Sequence, residues 1–192
     1  MGADRLWTQL EHDERTRVGG GSRKQNGAYY TPRAIAEGLA GAALRLCGEA
    51  PTQELRILDL AAGGGALLVA AAQGAPRAQL HALELDPEAA RRLGAFAPAL
   101  APARLDSACG DALLGELPPH WPGHFDLVLA NPPFGSVNRL GRHHPRQRAL
   151  AERYPAIWQD KIDLAAFFVR RALELAPRAA FVLPAALLAA DK

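Results

Sequence analysis

Short apolar runs alternate along the chain with longer segments in which apolar residues recur every three or four positions. The apolar runs predict strands at Leu55–Leu60, Gln79–Glu84, Phe125–Ala130 and Ala179–Leu183, with a weaker strand at Arg104–Ala108. The segments with helical spacing predict helices at 33–46, 65–73, 87–96 and 162–175. Strands that alternate with helices are typical of βαβ units, so we expect an α/β fold with a parallel sheet and helices on both faces.

The N-terminal segment has a different character. Apolar residues at roughly helical spacing (Leu6, Trp7, Leu10, Val18) predict a peripheral helix, and the run Gly19-Gly20-Gly21-Ser22 then predicts a flexible joint. We therefore expect residues 1–22 to form a helix with a linker and residues 23–192 to form the main domain.

Length and composition limit the function classes. A chain of 192 residues with 49% hydrophobic residues can form one domain with a real core. It has no apolar run of the roughly 20 residues that span a bilayer, and no signal-peptide core. Cys47 and Cys109 form no metal or redox pair, so we expect two buried thiols in a cytoplasmic protein. The net charge of +2 does not by itself indicate a nucleic-acid partner.

A glycine-rich segment follows the first predicted strand. The run Ala61–Gly65 permits a tight turn and lets the backbone approach a ligand at the carboxyl end of that strand. Glu84 closes the next strand, where an acid can accept hydrogen bonds from both ribose hydroxyls of a nucleoside. Leu68 replaces the third glycine of a dinucleotide motif and the phosphate-binding lysine is missing, so both of those sites are disfavoured. The alternative is a tight turn without a ligand.

The segment Asn131-Pro132-Pro133-Phe134 follows the strand at Phe125–Ala130. The two prolines fix φ and remove two backbone donors, which leaves carbonyl groups to accept hydrogen bonds. The side-chain oxygen of Asn131 and the carbonyl of Pro132 can each accept one hydrogen of a planar amino group such as that of adenine. Phe134 can stack on the base. The alternative is a proline-rich strand exit with a core phenylalanine.

The motif Asp59-x-Ala61-x-Gly63-x-Gly65 resembles the S-adenosylmethionine loop of Rossmann-like methyltransferases. The resemblance extends to Asp111, just past the predicted third strand, and implies that its carboxylate accepts the amino group of the cofactor's adenine. Asp111 could equally cap a turn that leads into a helix.

The segment Arg23–Pro32, followed by a helix, resembles the first motif of DNA adenine methylases of restriction–modification systems. In that family the turn Tyr30-Thr31-Pro32 lies over the methionine end of the cofactor. The residues alone predict a helix start with Thr31 as the cap and Pro32 at the first helical position, and both interpretations can hold. The order of motifs matches the gamma arrangement, and the resemblance covers about residues 23–190.

The resemblance implies the Rossmann-like methyltransferase fold, S-adenosylmethionine as the cofactor and DNA as the partner. The implied cofactor-binding residues are Tyr30, Thr31, Pro32, Asp59, Ala61, Gly63, Gly65, Glu84, Asp111 and Asn131. The implied catalytic residues are Asn131, Pro132, Pro133 and Phe134.

The stretch from Ser136 to Lys161 is rich in arginine. It follows the catalytic turn, where a phosphate backbone would pass, so the predicted nucleic-acid contacts are Arg139, Arg142, Arg146 and Arg148. The alternative is a solvated arginine-rich loop. His143 and His144 lack further ligands at suitable spacing, so no metal site is predicted.

The chain departs from the family near its end. The family's sheet needs two more strands after Ala180–Leu183, but only eight residues follow Pro184, and no target-recognition domain is present. We therefore expect the fold to lack its last strands, and the chain to be truncated or completed by a second polypeptide. An uncovered apolar edge at 179–183 predicts poor solubility of the isolated chain.

The leading functional hypothesis is methyl transfer from S-adenosylmethionine to the exocyclic amino group of adenine in DNA. A second hypothesis is an amino methyltransferase acting on RNA or on a protein glutamine, which the Tyr-Thr-Pro turn disfavours. A third is a non-catalytic subunit or remnant, which the missing strands favour and the intact Asn131–Phe134 segment opposes.

Overall fold

The structure is a computed structural model that describes residues 4, 6–8, 10–12, 31–48, 54–140, 144–159 and 161–188. The predicted linker at Gly19–Ser22, together with Tyr30 and Arg142, lies outside the described residues. The first described residues, at 4, 6–8 and 10–12, are helical, and Leu6, Trp7 and Leu10 are buried in the core on one side of the sheet.

Within the described part of the chain, five parallel strands form one sheet in the order β3-β2-β1-β4-β5. The strands are β1 (Arg56–Asp59), β2 (Gln79–Glu84), β3 (Arg104–Cys109), β4 (Leu127–Ala130) and β5 (Ala179–Phe181). All five predicted strands are present, and the Rossmann-like parallel sheet is confirmed. The strand order runs outward in one direction from β1 and in the other from β4, which leaves a crevice at the carboxyl ends of these two strands.

The described helices are α1 (Arg33–Arg45), α2 (Ala66–Gly74), α3 (Pro87–Phe96), α4 (Pro145–Arg153), α5 (Leu164–Leu175) and α6 (Ala185–Leu188). Short 3₁₀ turns lie at Ala97–Leu100 and Val137–Leu140. The boundaries of α3 match the prediction because its start is encoded locally: Asp86 accepts hydrogen bonds from the backbone N–H groups of Glu88 and Ala89, and Pro87 occupies the first helical position.

Apolar side chains cover both faces of the sheet. Adjacent residues of β1 point to opposite faces, and Ile57 and Leu58 are both fully buried. Ile57 packs in a cluster with α1 and α2, whereas Leu58 packs in a second cluster with Phe167 and Ala172 of α5. The predicted arrangement of helices on both faces is confirmed, and it makes the strands apolar on both sides.

No helix was predicted between Ser136 and Lys161, where a solvated arginine-rich loop was the alternative to a nucleic-acid contact, but this stretch contains α4. His144 caps α4 by accepting the N–H of Arg146, and Leu150 is fully buried. The hydroxyl of Tyr154, at the end of the helix, donates to the carbonyl of Leu113 at 2.8 Å. Because the segment carries many arginines, the helical spacing of its apolar residues was difficult to recognise in the sequence.

The predicted burial of both thiols is also wrong, since Cys109 is exposed and Cys47 is half-buried. No helix among the described residues is long and apolar enough to cross a membrane. β5 forms one edge of the described sheet, and the low solubility expected from this edge stays a prediction.

Candidate functional site

Four of the predicted site residues lie along one edge of the sheet. Glu84 and Asp59 are the last residues of β2 and β1, Asn131 is the first residue after β4, and Asp111 follows β3 by two residues. Because parallel strands end at the same edge, the strand order places them in the sequence Asp111, Glu84, Asp59, Asn131. The last two flank the crevice between β1 and β4.

The glycine loop after β1 depends on backbone conformations that favour glycine. Gly63 has a φ of 54°, and Gly65, which caps α2, has a φ of 89°. A Cβ atom on Gly65 would lie 2.7 Å from Cδ2 of Leu93 in α3. The loop is closed by a bond from the N–H of Gly65 to the carbonyl of Ala62 at 2.7 Å. This loop lies against α3 with no room for a side chain at Gly65.

Glu84 holds the glycine loop in place. Its Oε2 accepts the N–H of Gly63 at 2.7 Å, and its Oε1 accepts the N–H of Asp86 at 2.9 Å. A carboxylate has about four acceptor positions, so each oxygen retains capacity for one further donor. Leu85, the next residue, is 60% exposed and offers an apolar surface at the same edge. Leu85 was not among the predicted site residues, although its place between two acids, Glu84 and Asp86, at the end of a predicted strand is visible in the sequence.

Asp59 is 1% exposed. Burial raises the pKa of its carboxyl group to about 7, the N–H of Ala61 opposes this rise by donating to Oδ1 at 3.0 Å, and the negative charge of Glu84 adds to it. A cationic group bound beside Asp59 would favour its ionised form.

Asn131 is joined to the segment that precedes α1. Its Nδ2 donates to Oγ1 of Thr31 at 2.8 Å, and Thr31 is 7% exposed. The prediction that Thr31 caps α1 is wrong: the helix begins at Arg33, Pro32 is the capping residue, and no side chain makes a cap hydrogen bond. The carbonyl of Pro32 accepts the N–H groups of Ile35 and Ala36 instead. The hydroxyl of Thr31 therefore serves Asn131 rather than the helix.

The Pro-Pro-Phe turn is tied to the start of α5. Gly135 follows Phe134 with a φ of 120° and donates its N–H to Oδ2 of Asp163 at 2.9 Å. The other oxygen of Asp163 caps α5 by accepting the N–H of Ala165 at 2.9 Å. Pro132 is buried and Phe134 is half-buried. One carboxylate thus fixes both the exit of the turn and the first residue of the helix, which begins two residues later than predicted.

Asp111 has two roles in the structure. Its Oδ1 accepts the N–H groups of Leu113 at 3.0 Å and Leu114 at 3.3 Å, which caps a turn. Both of its oxygens also accept from the guanidinium of Arg146, on α4. Arg146 was predicted to contact phosphate, but here its charge is paired with Asp111. Oδ2 accepts fewer donors than Oδ1 and retains capacity for one more.

The other predicted phosphate contacts have different outcomes. The side chain of Arg148 is 85% exposed and pairs with Glu152 at 2.9 Å across one helical turn. The side chain of Arg139 and the whole of Arg142 lie outside the described residues. Among the described residues there is no group of three or more His, Cys, Asp or Glu side chains that could hold a metal ion, and His143 lies outside them.

Comparisons with known proteins identify methyltransferases as similar to this chain. The sequence model of the N-6 DNA Methylase family matches residues 18–191. A release factor glutamine methyltransferase from Streptomyces coelicolor is 34% identical over 105 residues, which are 55% of this chain and 36% of that protein.

Two solved structures resemble the fold. The methyltransferase subunit of a type I restriction-modification system from Streptococcus thermophilus matches 83% of this chain and 35% of that chain, with a TM-score of 0.62 and 21% identity. The type IIG restriction endonuclease BpuSI matches 94% of this chain and 22% of that chain, with a TM-score of 0.72 and 22% identity. The chain thus corresponds to about a third or less of each of these longer proteins.

Proposed function

The chain belongs to the N-6 DNA methylase family, and from this premise we propose that it transfers a methyl group from S-adenosylmethionine to the exocyclic amino group of adenine in DNA. The observation that carries the proposal is the position of Asn131. It directly follows β4 at the crevice, its amide nitrogen is held by Thr31, and the glycine loop lies at the end of the neighbouring strand.

The residues along the sheet edge suit the proposed cofactor. Glu84 can accept from two ribose hydroxyls while it holds the glycine loop. Leu85 offers an apolar surface to a purine ring, and Oδ2 of Asp111 can accept its amino group. The positive end of α2, which begins at Ala66, suits the carboxylate of the methionine moiety. Thr31 and Pro32 lie on the side of the crevice where Asn131 is located, and the methionine end of the cofactor is proposed to bind on this side.

The chemistry is a direct transfer between the two ligands. S-adenosylmethionine supplies an electrophilic methyl group attached to a positively charged sulfur. The lone pair of the adenine nitrogen is delocalised into the ring, and hydrogen bonds from its two hydrogens to Oδ1 of Asn131 and the carbonyl of Pro132 draw it towards tetrahedral geometry. When bound, S-adenosylmethionine would give this methyl group to the nitrogen and keep the C–S electron pair on sulfur, and the nitrogen would release a proton to solvent water. The protein contributes in-line positioning and oriented dipoles.

The base has to leave the duplex to reach this crevice. Phe134, half-buried beside the turn, can stack on the flipped adenine, an interaction worth about 1–3 kcal/mol. Arg148 is exposed on α4, and together with Arg139 and Arg142 it is the proposed phosphate contact. We also propose that a second polypeptide or a further segment supplies target recognition, since the resembling proteins are much longer.

A second candidate is methyl transfer to a glutamine side chain. The specific observation is the 34% identity to a release factor glutamine methyltransferase over 105 residues. A carboxamide is also planar, with a delocalised nitrogen lone pair, so the same two acceptors serve it. The candidates differ in whether an aromatic base has to stack on Phe134.

Methyl transfer to competing substrates tests the proposal. The full chain is incubated with S-adenosylmethionine and, separately, with unmethylated DNA, RNA and a glutamine-containing release-factor peptide, and the products are analysed by mass spectrometry. We expect N6-methyladenine from DNA. Asn138→Ala, a matched change outside the crevice, should retain activity, whereas Asn131→Ala should not. Methylated glutamine without methyladenine would favour the second candidate, and no product from any substrate would favour a non-catalytic subunit.

A further inference from the structure

Thr31 and Asn131 are 100 residues apart in sequence, yet they share a hydrogen bond in the candidate site. Thr31 is nine-tenths buried, and its hydroxyl does not cap the adjacent helix, which is its expected structural role. A buried hydroxyl is costly to desolvate, and here its partner is Asn131, the first residue after β4 at the crevice. Helix capping therefore does not explain why the hydroxyl of Thr31 is buried at this position.

From this geometry we propose that Thr31 is a positioning residue, whose hydroxyl holds the Asn131 amide so that Oδ1 accepts a hydrogen of the substrate's amino group. This inference rests on the proposed methyl transfer to an amino nitrogen. An asparagine amide has a donor end and an acceptor end of nearly equal size. If the amide were reversed, Nδ2 would meet the amino hydrogens of the substrate, and two donors would face each other.

The residues around the bond explain why the hydroxyl can act as a fixed point. Pro32 restricts the backbone of Thr31 to extended conformations, and a β-branched side chain has few χ1 states. On the other side, Asn131 lies between β4 and Pro132, whose φ is fixed, so its backbone is also constrained. The hydrogen bond from Nδ2 to Oγ1 of Thr31 restrains the rotation of the amide.

Two substitutions of Thr31 distinguish a positioning role of its hydroxyl from a direct contact with the cofactor. Thr31→Val keeps the shape of the side chain but cannot accept from Nδ2, whereas Thr31→Ser keeps the hydroxyl and loses only a methyl group. With unmethylated DNA, we expect Val to lower kcat on the order of 10- to 100-fold, because the acceptor is misoriented. The KM for DNA and the melting temperature should stay near wild-type values, and the Kd for S-adenosylmethionine by calorimetry should rise by a much smaller factor than kcat falls. Ser should restore kcat to within a few-fold.

A second readout does not depend on activity. The side-chain amide protons of Asn131, assigned by comparison with the Asn131→Ala variant, should exchange with solvent about tenfold faster in the Val variant than in the wild type or the Ser variant. Equal exchange in all three proteins would show that the hydrogen bond does not hold the amide.

Two kinetic results would also overturn the proposal. If Ser lowers kcat as much as Val does, keeping the hydroxyl does not preserve the rate, and the hydroxyl is not what positions the amide. If Val weakens cofactor binding by the same factor as it lowers kcat, Thr31 acts as a cofactor contact. Failure of the proposed function looks different: the wild type itself would give no methyladenine, while the amide-exchange experiment would still report on the bond between Thr31 and Asn131.

Discussion

The buried carboxyl group of Asp59 makes a quantitative prediction about stability. Its pKa is raised from an ordinary value of 3.8 to about 7, chiefly by burial. As the pH rises, the unfolded chain releases this proton first, so the folded state loses stability between about pH 4 and pH 7 and changes little above that range. Each unit of pKa corresponds to about 1.4 kcal/mol, and the full penalty at high pH is therefore about 4 kcal/mol.

The substitution Asp59→Asn should remove this penalty. Asparagine has nearly the shape of the protonated acid, keeps a carbonyl oxygen for the N–H of Ala61, and does not titrate. The free energy of unfolding, measured by urea denaturation, should therefore exceed that of the wild type at about pH 8. The advantage should shrink by about 2–3 kcal/mol when the pH is lowered to about 5.

The comparison is made as a difference between variant and wild type, so that contributions shared by the two proteins cancel. Asp4→Asn serves as a control for the loss of an exposed carboxylate, because the side chain of Asp4 is 88% exposed and pairs with Arg33 at the surface, and its replacement should not stabilise the fold at about pH 8. A constant difference for Asp59→Asn would refute the argument that burial raises the pKa of Asp59. A stabilised variant that binds S-adenosylmethionine weakly would indicate that the carboxylate is retained for the ligand at the expense of stability.

Four further substitutions test the site. Asn131→Ala should lower methyl transfer by at least about 100-fold while calorimetry shows nearly unchanged cofactor binding, and equal loss of both would mean that the catalytic turn is misplaced. Arg146→Gln breaks the pair with Asp111, and urea denaturation should show a loss of about 1–3 kcal/mol with no change in the salt dependence of DNA binding. Arg148→Gln should do the reverse, lowering that salt slope by about one without loss of stability, and identical slopes would remove Arg148 from the DNA interface. Gly65→Ala should destabilise the fold by more than about 1 kcal/mol, because its φ is 89° and a Cβ would meet a leucine methyl group at 2.7 Å; an unchanged denaturation midpoint would show that the loop tolerates a side chain.

Local signals determined most of the secondary structure. The strands of a parallel sheet are apolar on both faces, so β4 is a continuous apolar run in the sequence, and the interior of β2 is apolar apart from His81. The start of α3 was equally local, since Asp86 and Pro87 carry the capping signals themselves. The helix α4 was missed because its stability depends on distant partners. Arg146 pairs with Asp111, 35 residues earlier, and a strongly basic segment reads as a solvated loop when that partner is unknown.

For the candidate site, the positions of the residues were predictable from the sequence, whereas their contacts were not. The sequence alone predicted that Asp59, Glu84 and Asn131 lie at one edge of the sheet, because each lies at or directly after the end of a predicted parallel strand and such strands end at a common edge. It could not determine what those side chains touch. Thr31 reads as a helix cap from its neighbours, and only the tertiary structure places its hydroxyl 2.8 Å from the amide of Asn131. The physical reason is that strand ends are specified by short-range patterns, whereas a hydrogen bond between residues 100 positions apart exists only once the core has packed and brought both segments to one edge of the sheet.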